Sequence, residues 1–473
     1  MMAPTPLQEL LSALDLHESA ASGVEIQGQE PVLPCRYPLA EMAASAVAAG
    51  GIAASGLWEI QTGRRQSIVV DLDAAAAGLM GFAVLSGGPS LPRALPLSEL
   101  YRCADGRWIH FHGGYPDSPH LSRGILETLH CADDRNAIAS ATAKWEAQAL
   151  EDTLAAAGLC AAVAQTASEW SQHPQGAVLK GLAPVEIQKI ADSDPQPLPG
   201  LDRPLAGVRA LDLTRVLAGP TCARTLAEHG ADVLHVASPR LPNFPAFVAD
   251  TGHGKLSAHL DLEKNADVSR LRELASETDV FCEGYRPGSL ERRGFGAAEM
   301  ARLRPGLIYV SISCYGRDGP WRHRRGWEQL AQTASGIALG HGGLDHPQLV
   351  PAAACDYTTG YLAALGVLVA LARRAREGGS YHVHASLCQT AMWIERFGSD
   401  ALAPEKPASV ELGGPPALAA DRIAPWLIES ETPYGRLTHL APILQMSETP
   451  TRWELPSAPL GTHPARWPVR ASQ

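Results

Sequence analysis

Arg203 to Val236 reads RPLAGVRALDLTRVLAGPTCARTLAEHGADVLHV, and this stretch decides the fold. VRALDL (Val208 to Leu213) is a strand by its apolar run, Thr221–His229 continues as a helix, and ADVLHV (Ala231 to Val236) returns as a strand. The alternation continues downstream. LSAHLDL (from Leu256) is a strand, Asp267–Ser276 a helix and DVFCEG (from Asp279) a strand. A helix over Ser289–Leu303 and the strand LIYVSIS (from Leu307) follow. Strands and helices alternating with short connections imply right-handed crossovers and a mostly parallel sheet. Ligands of such sheets bind beyond the carboxyl ends of the strands.

The fold class expected is therefore α/β, an open mostly parallel sheet accompanied by a small α+β domain. The punctuation divides the chain into an N-terminal segment 1–36, a partial helix–strand unit 37–90 and a small α+β domain 91–190. A Pro-rich linker 191–204, a large α/β domain 205–395 and a tail 396–473 complete it. The tail holds 12 prolines in 78 residues, so it is expected to be extended and to wrap a surface. GRRQSIVVDLDAAAAGLMGF (from Gly63) resembles GGSYHVHASLCQTAMWIERF (from Gly378) at an offset of 315, which suggests two copies of one helix–strand–helix unit.

Composition narrows the function. The 473 residues are 45% hydrophobic and 19% charged, an ordinary globular balance. The net charge of −11 falls on residues 1–204, and the remainder is neutral, so neither part has the basic excess of a nucleic-acid binder. Nine scattered cysteines with no CxxC point to reduced thiols rather than disulfides or structural zinc. The N-terminus lacks the basic start of a signal peptide, and the longest apolar run, Tyr361–Ala372, is too short to span a bilayer. A cytoplasmic protein without a membrane partner is expected.

Familiar motifs are missing. The loop after the first strand, LTRVLAGPTC, carries only Gly219 where a dinucleotide site needs GxGxxG. Neither GxxxxGK[ST] nor GxSxG occurs. His110 with His112, and His382 with His384, alternate along strands, but no third ligand stands at metal-binding spacing, and no metal is expected. Arg322, His323, Arg324 and Arg325 form the densest basic run, read either as a solvated loop or as an anion contact. Asp356, in PAAACDYTTG just before an apolar helix, is a helix-start acid or a carboxylate with room beside it for a substrate.

The opening stretch resembles family III (CaiB/BaiF-type) CoA-transferases. So do GKLSAHLDL (from Gly254), DVFCEGYRPGSLERRGFG (from Asp279), LRPGLIYVSISCYGRDGPW (from Leu303) and CDYTTGYLAALGVLVAL (from Cys355), in the family's order. ADGRWIHFH and WSQHPQG (from Trp170) are similar to the family's small domain, which here precedes the α/β block, as in a rearranged or truncated tandem. The resemblance implies transfer of CoA from an acyl-CoA to a carboxylic acid, with Asp356 as nucleophile through an aspartyl anhydride and an aspartyl-CoA thioester. A carboxylate suits that role because in water it is ionised at neutral pH.

By the same resemblance Val216 and Ala218 flank CoA, Lys255 and Arg292 face its phosphates, Tyr285 lies near the adenine, and Tyr315 lies near the pantetheine or acyl group. CoA and acyl-CoA are substrates; no permanent cofactor is implied, and a homodimer is. Leu217, Ser238 and Gly284 depart from the family pattern, and Gly87-Gly88-Pro89 is a short version of its glycine-rich shield. These departures leave a CoA-binding protein without turnover as an alternative. A racemase is a further one, disfavoured because Trp327 stands where the racemase histidine would be.

Overall fold

A computed structural model describes residues 4–16, 22–91, 97–114, 119–199, 202–408 and 416–468. Its largest sheet has seven strands: β1 Val185–Ala191, β2 Arg209–Asp212, β3 Asp232–Ala237, β4 Lys255–His259, β5 Val280–Glu283, β6 Ile308–Ser313 and β7 Ser380–Ser386. They lie in the order β1-β7-β6-β5-β2-β3-β4. All pairs are parallel except β1 with β7. The chain winds outward from β2 to β4 and then returns past β2 to β5, so the strand order reverses between β2 and β5. A crevice opens there at the carboxyl ends.

Alternation along the strands divides the core. Ala210, Val280, Cys282, Ile308 and Val310 face one layer, while Leu211, Phe281 and Tyr309 face the other. The second layer is closed by the helices Asn265–Ser276 and Ala297–Leu303 through Leu271, Leu274 and Met300. The first is closed by α2 (Ala218–Glu228) and α4 (Ala354–Glu377), and α4 packs in turn on α1 (Leu39–Thr62). Both 24-residue helices are long and apolar enough to cross a membrane, longer than the apolar run legible in sequence. Their most apolar windows are 83% and 100% buried inside the protein.

The two repeat units superimpose in sequence register. Displacing α1 by 315 residues gives α4, from first residue to last. Strand Ile68–Asp71 maps onto Val383–Ser386, and Asp71 and Ser386 both cap the helix that follows. Each copy's strand has a parallel neighbour on one side and an antiparallel one on the other. Val24–Gln27 and Leu444–Met446 flank the first copy, and β6 and β1 flank the second. A glycine lets each helix lie close on its strand: a Cβ on Gly51 would meet Ile68 and Leu444, and one on Gly366 would meet Val383 and Val185. The tail strand Leu444–Met446 thus does for the first copy what β1 does for the second.

The described parts of the tail lie along the rest of the chain. Its hairpin pairs Leu427–Thr432 with Gly435–Leu440, His463 hydrogen bonds both ways with Ser257 at the sheet edge, and Trp467 enters the second core layer.

Two expectations change. The helix drawn over Ser289–Leu303 is broken into a short turn, Glu291–Arg293, and a helix from Ala297, because Gly294 has a φ of 78° that a helix cannot hold. The small unit keeps its own three-stranded sheet, Leu100–Arg102, Trp108–Phe111 and Ala161–Val163. Its last segment, Val185–Ala191, instead becomes the antiparallel edge β1 of the large sheet.

Candidate active site

The site is built where β6 ends and α4 begins. Asp356 is the third residue of α4, inside the first turn, where exposed N–H groups favour an anion. It keeps 7% of its surface exposed. Glu328, the first residue of α3 (Glu328–Ser335), accepts the main-chain N–H of Cys355 at 3.1 Å and that of Asp356 at 2.5 Å. Gln332, one turn further along α3, donates to Glu328 at 2.6 Å and accepts the N–H of Val350 at 2.9 Å. Two carboxylates are thereby held together out of water.

Burial pushes the Asp356 carboxyl well above the usual carboxylate range, and the nearby Glu328 charge pushes it further. Burial also raises Glu328, while the donors from Gln332, Cys355 and Asp356 hold it down. The hydrogen bonds favour Glu328 over Asp356 as the more readily ionised member of the pair.

The small domain closes one side. His112 stacks on Trp327 at 5.0 Å, and His110 Nδ1 lies 3.0 Å from Thr333 Oγ1 on α3. Burial lowers both imidazoles, to about 4 for His110 and about 3 for His112, so both are neutral near pH 7 and neither adds a positive charge. Arg324 pairs with Glu151 and Asp152 of the same domain. Gln175 donates to the carbonyls of Tyr315 and Asp318 and accepts the N–H of Trp321, fixing the loop that leaves β6. His382 donates to or accepts from Ser311 at 2.8 Å. Among the described residues no group of His, Cys, Asp and Glu is arranged to hold a metal ion.

Three guanidinium groups come near one another at the carboxyl ends of β5 and β6. Arg286 is lowered first by burial and then by the charges of Arg325 and Arg292, which places these three near one another, with Cys160 alongside. Arg325 belongs to the basic run singled out as a possible anion contact. Arg286, one residue after Tyr285, was not singled out; its position just past the carboxyl end of β5 is the signal that could have found it.

Beyond β2 the backbone is strained. Val216 has a φ of 72°, rare for a β-branched residue, and such outliers concentrate at functional sites. With Thr214, His235, Ser238 and Phe244 it lines a small cleft of about 30 Å³ at the carboxyl ends of β2 and β3. Ala218 opens α2 beside it. A Cβ at Gly360, on α4 one turn after Asp356, would lie 2.5 Å from the Ala218 carbonyl, so α4 and α2 touch at the site.

Lys255 does not face a phosphate. It is 2% exposed, its ammonium donating to Asp212 at 3.0 Å and to the Pro220 carbonyl at 2.7 Å. Burial lowers Lys255. Asp212 is raised by burial but brought below its ordinary value by Lys255, His235 and Thr214, so the pair stays ionised. Arg292 lies exposed in the turn Glu291–Arg293. Tyr285 is half-buried against the second core layer, and Tyr315, 2% exposed, packs edge-on against Trp321. The structure thus gathers Asp356, Glu328 and the arginines at one end of the sheet and removes Lys255 to the interior. Of the short glycine segment, Gly87 lies against the Arg436 carbonyl of the tail hairpin, and residues 92–96 lie outside the described residues.

Residues 205–408 match the sequence profile of CoA-transferase family III. That stretch belongs to CoA-transferase family III. The chain is similar to the acetyl-coenzyme A transferase nodX of Hypoxylon pulicicidum, 35% identical over 331 residues, which is 65% of this chain and 55% of the relative. It is also similar to the succinyl-CoA–L-malate CoA-transferase beta subunit of Chloroflexus aurantiacus, 35% identical over 201 residues, 40% of this chain and 50% of the relative. A solved CAIB/BAIF family protein from Brucella suis is 27% identical, covering 45% of this chain and 60% of its own, with a TM-score of 0.39. The chain spans about half the length of these curated relatives.

Proposed function

We propose that the chain transfers CoA from an acyl-CoA donor to a carboxylic acid, with Asp356 as the covalent acyl carrier. One observation carries this reading: Asp356 stands at the start of a buried helix, its N–H seated on Glu328. The family III segment and the similarity to named CoA-transferases support it.

The ionised Asp356 oxygen attacks the thioester carbonyl, the C–S bond breaks, and CoA leaves as thiolate, giving an acyl-aspartyl anhydride. The thiolate then attacks the aspartyl carbonyl and expels the donor acid, leaving CoA on Asp356 as a thioester. The acceptor carboxylate repeats the first step on that thioester, and the released thiolate takes the acceptor acyl group, restoring Asp356. Each step breaks one acyl bond as it forms another, and no outside oxidant or reductant enters. The arginines supply positive charge for the thiolate and the phosphates of CoA. Incubating the purified chain with a panel of acyl-CoA thioesters and carboxylic acids, read by mass spectrometry, tests this. New CoA thioesters should form with the wild type and vanish with Asp356→Ala.

A CoA-binding protein without turnover is the second reading, favoured by the departures from the family pattern at Leu217, Ser238 and Gly284. Calorimetric binding of CoA together with no transfer across the panel would select it.

A further inference from the structure

At the far end of α3 from Glu328 lies a second cleft, of about 170 Å³. It is walled by the helix Ala167–Gln172 and by α5 (Leu387–Arg396), with Ser335, the last residue of α3, between them. Seven residues separate Ser335 from Glu328, about 10 Å of helix, so the cleft is distinct from the Asp356 site.

Its lining holds an unusual concentration of unsatisfied donors. Trp170, Trp393 and Ser335 are each 1% exposed, and among the described residues the two indole N–H groups and the Ser335 hydroxyl have no hydrogen-bond partner. Each such orphan costs about 1–3 kcal/mol. An indole nitrogen can only donate, so two of the three groups call for an acceptor. Lys180 at the rim is exposed and makes no ion pair among the described residues. Leu179, Leu182 and Met392 supply apolar wall, and Met392 can change rotamer at little cost to admit a ligand.

We infer that this cleft binds a small carboxylate with an apolar body, its carboxylate oxygens accepting from Trp170, Trp393 and Ser335 and its charge facing Lys180. The proposal is independent of the transfer chemistry at Asp356.

Calorimetry on the full chain carrying Asp356→Asn, with hexanoate as probe and hexanol as its uncharged counterpart, tests it. Hexanoate should saturate one site and hexanol should bind at least tenfold more weakly. Trp170→Phe and Trp393→Phe keep an aromatic side chain while removing the N–H donor, so each should weaken hexanoate at least about fivefold, the worth of one hydrogen bond. Met392→Trp should fill the cleft and abolish binding while the melting temperature holds. Hexanoate binding untouched by Met392→Trp and by both Phe variants would overturn the proposal. So would hexanol binding as tightly as hexanoate, or no saturable binding at all.

Discussion

Glu41 and Asp356 stand 315 positions apart in the two repeat units, and the main-chain N–H of each donates to a glutamate, Glu30 at 3.0 Å and Glu328 at 2.5 Å. Both acids lie in the first turn of a 24-residue helix, and both are raised first by burial and then by the neighbouring glutamate. The first copy thus repeats the carboxylate arrangement, but ten residues link its strand Val24–Gln27 to its capping residue Pro38 where thirty-nine link β6 to Ala353.

Glu41→Gln should therefore leave CoA transfer unchanged within about twofold, whereas Asp356→Asn removes it. Steady-state rates of the two variants check this. A loss with Glu41→Gln comparable to that with Asp356→Asn would show that both carboxylates carry acyl groups.

Glu328→Gln should move the acid limb of kcat/KM to lower pH. The sign follows from the direction of the shift: Asp356 is held above its ordinary value, so activity is full above that raised value and is lost as pH falls through it. Removing the Glu328 charge lowers Asp356, and the limb should shift down by about one pH unit or more. Glu328→Ala, which removes the acceptor for two main-chain N–H groups as well, should also lower kcat.

Lys255→Met strands the fully buried Asp212 carboxylate and should cost about 3–5 kcal/mol in denaturant unfolding. Replacing both partners, Lys255→Met with Asp212→Leu, should recover much of that loss. A phosphate-binding lysine would instead raise KM for acyl-CoA and leave stability nearly unchanged.

Gly360→Ala should cost about 1–3 kcal/mol by overpacking, because its Cβ meets the Ala218 carbonyl at 2.5 Å and Thr221 at 2.6 Å. It also pushes α4 from α2, so kcat should fall further than the stability loss explains. Thermal unfolding and kinetics on one preparation separate the two effects.

The parallel sheet was legible because its strands are short β-branched runs spaced by helices, a pattern local to each βαβ unit. The place of VEIQKIA at Val185–Ala191 was not, since its partner β7 lies about 190 residues away and pairing leaves no local mark. Asp356 stood out by its motif, and Glu41 was within reach had the offset of 315 been carried back from the strands to the helix starts. Lys255 was misread for a physical reason: a lone lysine beside a strand looks exposed until the fold brings Asp212 against it. Arg286 and Arg292 belong to one loop and Arg325 to another, and only the sheet's topology brings them near one another.

The most direct test of the account is to quench the wild-type chain during turnover with an acyl-CoA and a carboxylic acid, treat it with hydroxylamine, and map the modified peptide by mass spectrometry. The account predicts a hydroxamate on Asp356, formed only when acyl-CoA is present and absent from Asp356→Asn. Transfer proceeding at full rate with Asp356 unmodified, or with another residue carrying the adduct, would contradict it.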